Sequence, residues 1–141
     1  MADVKRRLKQ ARKALATLAG SAVRARPTLD QRDAAIQRFE YTFEAVWKAA
    51  QAVLAEREGV SAASPKSCIR ACREAGFLAD NDTAAAIRMT DDRNLTVHMY
   101  LEPLARRVYR RLGRYATLLE RWLSAMERDR VRRFPSRKRR A

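Results

Sequence analysis

The chain has 141 residues, with 31 Lys and Arg against 16 Asp and Glu and a formal net charge of +15. This length suits one domain with its own core, and the scarcity of Gly and Pro, four of each, favours an all-α fold. No apolar run approaches the roughly 20 residues that a membrane span needs, and the first residues lack a signal-peptide pattern, so we expect a cytoplasmic protein with no membrane partner.

The first two predicted helices are joined by a basic connection. Apolar residues recur every three or four positions over residues 3–19, which is the period of an amphipathic helix, and Gly20 stands at its end. A capping box, with Thr28 as the cap and Gln31 three residues later, starts a second helix that runs to Glu58. Its length indicates the spine of a helical bundle.

Two shorter helices follow in the predicted order. Ser64 before Pro65 is a strong start signal for a short third helix, because Ser caps well and Pro fits the first helical position. Asn81 or Asp82 is predicted to cap a fourth helix that begins at Thr83. The fourth helix leads into the segment that carries the candidate site.

The fifth predicted helix begins near Pro103, and a break is predicted at Phe134-Pro135. Residues 1–127 are therefore predicted to form an up-and-down bundle of four longer helices and one short helix. Residues 128–141 contain eight basic residues and one acid, and we predict a basic, disordered tail there. Such a tail either binds RNA or serves only solubility.

Two cysteines, Cys68 and Cys72, lie one helical turn apart. Helical geometry at this spacing suits a disulfide poorly, and a zinc site would need two more ligands in a chain that holds one histidine. We therefore expect two reduced, packed thiols, and we predict neither a metal site nor a cofactor.

Residues 93–100 read Arg-Asn-Leu-Thr-Val-His-Met-Tyr and include the only histidine, His98. Imidazole titrates near neutral pH and guanidinium binds phosphate well, so this pairing in a basic chain indicates chemistry on phosphate. The alternative is a packed histidine and a salt-bridged Arg93. Positions five apart in a straight helix differ by about 140° in direction, so either the helix ends or distorts between them, or a second chain completes the site.

Three carboxylates are candidates for supporting this motif. Asp92 directly precedes Arg93 and either orients it or faces solvent. Glu40 and Glu44 lie at the edge of the apolar stripe of the second helix. For these two we favour salt bridges to basic groups such as Arg38 over a role in supporting the motif.

The motif resembles a known signature. Arg93-Asn94-x-x-x-His98-x-Tyr100 is similar to the Arg-x4-His-x-Tyr pattern of HEPN domains, particularly the HepT toxins. Further segments resemble the nucleotidyltransferase substrate-binding protein family, a branch of the same superfamily, and they are residues 38–48, 64–65, 73–76 and 91–96. The similarity spans about residues 5–126.

This resemblance implies a HEPN-like bundle that forms a two-fold homodimer, with a minimal nucleotidyltransferase as partner. In the toxin branch the chain is a metal-independent ribonuclease, and the partner is an antitoxin that adds AMP units to the motif tyrosine, here Tyr100. RNA is the implied substrate, with tRNA as one candidate. His98 would act as base or acid, Arg93 would stabilise the phosphorane, and Asn94 would hold the phosphate or the imidazole. The expected products carry a cyclic phosphate and a 5′-hydroxyl.

Two other functions stay open at this point. The chain is either a non-catalytic substrate- or nucleotide-binding subunit of a minimal nucleotidyltransferase, or a basic helical adaptor that binds nucleic acid. The first predicts no RNA cleavage by the free dimer. The second predicts that RNA binding depends on residues 128–141 and not on Arg93 or His98.

Overall fold

The computed structural model describes the backbone of residues 2–22 and 24–140 and the side chains of residues 3–22 and 24–128. The helices of this part are α1 (Ala2–Ala19), α2 (Leu29–Val53), α3 (Pro65–Glu74), α4 (Asp80–Leu95) and α5 (Glu102–Arg140). The described residues contain no strand. The predicted all-α bundle, with four longer helices and one short one, is confirmed.

Capping boxes start α2 and α3, where the sequence predicts a box at Thr28 and a capping Ser64. The Thr28 hydroxyl accepts a hydrogen bond from the Gln31 N–H at 3.1 Å, and the Gln31 side chain accepts one from the Thr28 N–H at 2.9 Å. Ser64 and Ser67 exchange the same pair of bonds before α3. Each box satisfies N–H groups that have no partner inside the helix.

A wider turn closes α2. Residues Leu54–Glu58 continue it as one π-helical turn, so the helical segment reaches Glu58 as predicted. Gly59 follows with a φ of 66°, in the left-handed region that favours glycine, and its N–H donates to the Leu54 carbonyl.

The prediction that Asn81 or Asp82 caps α4 is wrong. The helix begins at Asp80, after Ala79, which makes no side-chain capping bond. Asp82 lies in the first turn and accepts two hydrogen bonds from Arg121 of α5, each 2.9 Å long. Its carboxylate serves this ion pair between helices, and its position near the helix N-terminus is favourable for a negative charge.

The predicted break at Phe134-Pro135 is also absent from the backbone, since α5 extends to Arg140. Proline inside a helix costs about 3 kcal/mol, but the Arg and Lys residues on both sides of it are good helix formers. The predicted disordered tail, residues 128–141, falls almost wholly outside the residues whose side chains are described, and it stays a prediction.

The core forms where α1, α2 and α5 pack together, with α3 packed against α2 and α4, and α4 packed against α2 and α5. The largest fully buried side chains include Leu18, Phe39, Phe43, Leu54, Ile69, Met89, Leu112, Leu119 and Trp122. Cys68 and Cys72 are buried thiols with no disulfide between them. No helix in the described part of the chain is long and apolar enough to cross a membrane.

Two arginines fix α5 to the first two helices. Arg12 of α1 pairs with Glu120 and Glu127 of α5, with N–O distances of 2.5 Å to each. The buried Arg32 of α2 donates from Nη1 to both carboxylate oxygens of Glu102, at 2.5 and 2.7 Å. This contact lowers the pKa of Glu102 and holds the start of α5, next to the motif segment.

Candidate functional site

The motif lies where α4 ends. The α-helix stops at Leu95, and residues Thr96–His98 form one turn of 3-10 helix. The Thr96 hydroxyl donates to the Arg93 carbonyl at 2.7 Å, so it competes for an acceptor that the helix would use. Of the two alternatives drawn from the five-residue spacing, the helix therefore does distort between Arg93 and His98.

His98 and Tyr100 form an exposed pair on this turn. The His98 Nδ1 lies 3.2 Å from the Tyr100 hydroxyl, and the two rings meet edge to face with centroids 5.9 Å apart. Tyr100 is 77% exposed and His98 is also exposed, so His98 is not a packed core residue. When the Tyr100 hydroxyl donates to Nδ1, a neutral imidazole carries its proton on Nε2.

Arg93 is held against α2. Its side chain is 24% exposed, and its Nη2 lies 3.6 Å from Oε1 of Glu44. Glu44 in turn accepts a hydrogen bond from the Trp47 indole N–H at 3.2 Å. The Arg93 Nε is buried and has no hydrogen-bond partner among the described residues. The guanidinium is therefore positioned by one carboxylate, while its buried Nε makes no hydrogen bond to the described residues.

This contact is a correction for Glu44, for which we favoured a salt bridge to Arg38 or a similar group. The favoured pairing came from neighbours on one helix, whereas Glu44 pairs with a residue of α4. Glu40, one turn earlier, is half-buried, and no ion pair joins it to a described side chain. The structure thus separates the two glutamates by their contacts.

Asp92 does not orient Arg93. It is buried, and its carboxylate accepts hydrogen bonds from Arg111 at 2.9 and 3.1 Å and from the Tyr115 hydroxyl at 2.5 Å. Burial and this carboxylate raise the pKa of Tyr115. The group ties α4 to α5 behind the motif. Asn94, by contrast, is exposed on the last turn of α4.

Sequence reasoning missed the partners of Asp92. Arg111 and Tyr115 are four apart on α5, and in the sequence Tyr115 falls in the apolar stripe of this helix. A tyrosine inside such a stripe carries a hydroxyl that needs a partner when buried, and this was the available signal. No cluster of three or more His, Cys, Asp or Glu side chains that could hold a metal lies within the described residues.

A family model and a crystal structure are similar to this chain. A family model described as nucleotidyltransferase substrate binding protein like matches residues 6–128, which include the entire motif. A protein from Thermus thermophilus with a known crystal structure is 57% identical in sequence to this chain. The two structures superpose with a TM-score of 0.81, and the match covers 82% of this chain and 98% of that chain. No curated protein matches the sequence.

Proposed function

Because the chain belongs to the nucleotidyltransferase substrate binding protein like family, a HEPN-related family, we propose that it is a metal-independent ribonuclease. In this proposal it is the toxin of a two-gene pair, and its partner is a minimal nucleotidyltransferase. The observation that carries the proposal is the solvent-exposed His98 imidazole beside Tyr100 on a turn next to Arg93.

The cleavage step uses the 2′-hydroxyl of the RNA itself. A base takes the proton of this hydroxyl, O2′ bonds to phosphorus, and the bond from phosphorus to O5′ breaks. An acid then gives a proton to O5′, which leaves a cyclic phosphate and a free 5′-hydroxyl. His98 can serve as base or acid. Arg93, whose side chain is 24% exposed beside Glu44, can stabilise the extra charge on the phosphorane, and Asn94 can hold a phosphate oxygen.

A second copy of the chain would supply the other imidazole. One chain offers a single histidine, whereas the reaction needs both a base and an acid. Val97 and Leu101 are 68 and 50% exposed, so two large apolar side chains flank the His98–Tyr100 pair. Their exposure supports a homodimer in which the two motif turns face each other across the two-fold axis.

Tyr100 would act as the switch. Its exposed hydroxyl is accessible to a nucleotidyltransferase, which would join it to the α-phosphate of ATP and release pyrophosphate. The product has no phenolic proton to share with Nδ1 of His98, and it places an anionic phosphate beside the imidazole. AMP transfer would therefore block the position that the RNA phosphate needs.

A second candidate function is a non-catalytic binding subunit for the same partner. The half-buried Arg93, held by Glu44, favours it, because a guanidinium in an ion pair is less available to a phosphate. The family description also fits this function. RNA cleavage by the free protein separates the two candidates.

The test is RNA cleavage in EDTA by the full-length protein and by His98→Ala, purified identically. We expect the substitution to lower the rate by at least 10²-fold, which is the range for a lost acid–base group, with an unchanged circular dichroism spectrum. Tyr100→Phe keeps the ring, and it should still cut RNA but resist AMP transfer. Equal cutting by wild type and His98→Ala would show contamination and reject the ribonuclease.

A further inference from the structure

Three arginines form an exposed row on α5, which we call the arginine ridge: Arg106, Arg110 and Arg114. They are four residues apart, so they lie on one helix face with about 6 Å of rise between neighbours. No acidic side chain within residues 3–22 and 24–128 comes within 4.0 Å of their charged ends. The ridge therefore keeps three positive charges outside any such ion pair on a fixed element.

One groove lies beside Arg106 and Arg110 of the ridge, and another lies beside Arg114. One, of about 580 Å³, lies between the ridge and the connection from α1 to α2, and Arg24, Arg32 and Tyr109 line it together with Arg106 and Arg110. The other, of about 500 Å³, lies between the ridge and α4, and its lining includes Arg88, Arg111, Arg114 and Arg121. Both grooves are thus lined by guanidinium groups.

Ion pairs divide these lining arginines into two kinds. Arg32, Arg111 and Arg121 are held by Glu102, Asp92 and Asp82. Arg24 and Arg88 are exposed and, within the described part of the chain, have no such pair. The paired arginines fix the groove walls, and the unpaired ones join the ridge as groups available to an anion.

We infer that the arginine ridge and its two grooves bind the phosphate backbone of single-stranded RNA. This inference rests on the proposed function. The ridge begins in the second turn of α5, and α5 starts four residues after His98, so the ridge follows the motif turn closely along the chain. Guanidinium groups at regular spacing suit successive phosphates, and such contacts position a strand without reading its bases. An acidic protein is the competing occupant, and the test includes it.

The ridge variant is Arg106→Gln with Arg110→Gln and Arg114→Gln. The matched control is Lys5→Gln with Lys9→Gln and Lys13→Gln, which removes three exposed charges at the same spacing from α1. Both sets are made in the full-length His98→Ala chain, so binding is measured without cleavage. Fluorescence anisotropy with a labelled 20-nucleotide oligouridine gives Kd at several salt concentrations.

We expect Kd of the ridge variant to rise at least tenfold. The slope of log K against log salt should become less steep by about 2, because three phosphate contacts are lost. The control should change Kd less than threefold. Equal loss in both variants, or none in the ridge variant, would overturn the inference. The inference would also be overturned by a ridge variant that keeps RNA binding but no longer binds the purified nucleotidyltransferase partner.

This result is separable from the proposed function. If wild type does not cut RNA but the ridge variant alone loses oligouridine binding, the ribonuclease fails and the ridge stands. If His98-dependent cutting is confirmed and the two variants bind alike, the ridge fails and the ribonuclease stands. Thermal melts of both variants check that the fold is kept.

Discussion

Glu44 is the residue that connects the motif to the rest of the bundle. It pairs with Arg93 at 3.6 Å and is itself held by the Trp47 indole. We regard it as a positioning residue, since it contacts the arginine and not the His98–Tyr100 pair in this structure. Its role can be separated from that of Glu40, one helical turn earlier.

We predict that Glu44→Gln lowers kcat for RNA cleavage about tenfold and leaves KM nearly unchanged. The neutral amide keeps the size of the side chain and an acceptor for Trp47, but it removes the charge that holds the Arg93 guanidinium. Single-turnover and steady-state cleavage rates measure the effect.

Glu40→Gln is the matched control, because it makes the same chemical change on the same helix without a contact to Arg93. It should leave both kinetic constants at wild-type values. Equal losses in the two variants would show that charge on α2, and not the contact with Arg93, matters.

The sequence predicted the motif residues but not their partners. His98 and Tyr100 are two residues apart, so their contact follows from local geometry. Glu44 and Arg93 are far apart in the chain, and their contact depends on how α2 packs against α4. Residue spacing describes one helix at a time, and it carries no information about which residues of two helices meet.

At the scale of helices, α4 and α5 are tied by Asp92, Arg111 and Tyr115. The Tyr115 hydroxyl donates to the buried carboxylate at 2.5 Å, and its ring stacks on Phe39 of α2 with centroids 5.5 Å apart. Burial and the neighbouring carboxylate raise the pKa of this phenol above its ordinary value of 10. The contact therefore predicts how the stability of the fold depends on alkaline pH.

We predict that the free energy of unfolding falls as pH rises above about 10. In that range the unfolded Tyr115 loses its proton while the folded one keeps it, so the folded state binds more protons and is destabilised by higher pH. Below pH 10 both states are protonated and the stabilisation is complete. Tyr115→Phe should remove this part of the slope and cost about 1–3 kcal/mol at neutral pH, because Asp92 loses a donor.

Urea unfolding at pH 8, 9.5 and 10.5, followed by circular dichroism, measures the slope. Tyr41→Phe is the control, since Tyr41 is exposed and its hydroxyl bonds to the Thr17 hydroxyl and to no carboxylate among the described side chains. It should keep the wild-type slope. If Tyr115→Phe keeps that slope as well, the alkaline loss comes from another group.

Helix boundaries were predictable where the capping chemistry is local. The predicted box at Thr28 and the predicted cap at Ser64 both use a partner three residues later, and both are confirmed. The start of α4 was not, because Asp82 has a partner on α5 that the local sequence does not reveal. The local sequence likewise cannot predict any other helix end that depends on a contact between helices.

For the whole molecule, the exposed apolar side chains next to the motif predict that two copies of the chain form a dimer. Val97 and Leu101 flank the His98–Tyr100 pair and are 68 and 50% exposed. Apolar groups gathered at one functional turn favour a covered surface. The fold class followed from composition and periodicity, whereas assembly depends on a second chain.

We predict that the protein runs as a dimer with twice the 16.2 kDa mass of the chain and that Leu101→Asp dissociates it. A charge at this position would be buried without a partner in the interface. The monomer should also lose RNA cleavage, because it lacks the second imidazole. Size-exclusion chromatography with light scattering measures the mass.

Val60→Asp is the control, since Val60 is exposed just after Gly59 in the connection to α3, away from the motif in sequence. It should leave the dimer and the cleavage rate intact. A wild-type monomer that still cuts RNA would contradict the prediction, because a single chain would then supply both acid and base.

The ion pairs of Arg12 with Glu120 and Glu127 can form only late in the synthesis of the chain. Synthesis runs from the N-terminus, so α1 and the motif turn emerge before the residues that hold them. Glu120 and Glu127, which Arg12 needs, come near the end of the bundle, and Arg111 and Tyr115 also follow the motif. A chain released early would carry His98 without the helix that supports it. The site therefore becomes complete only when translation of the bundle is nearly finished.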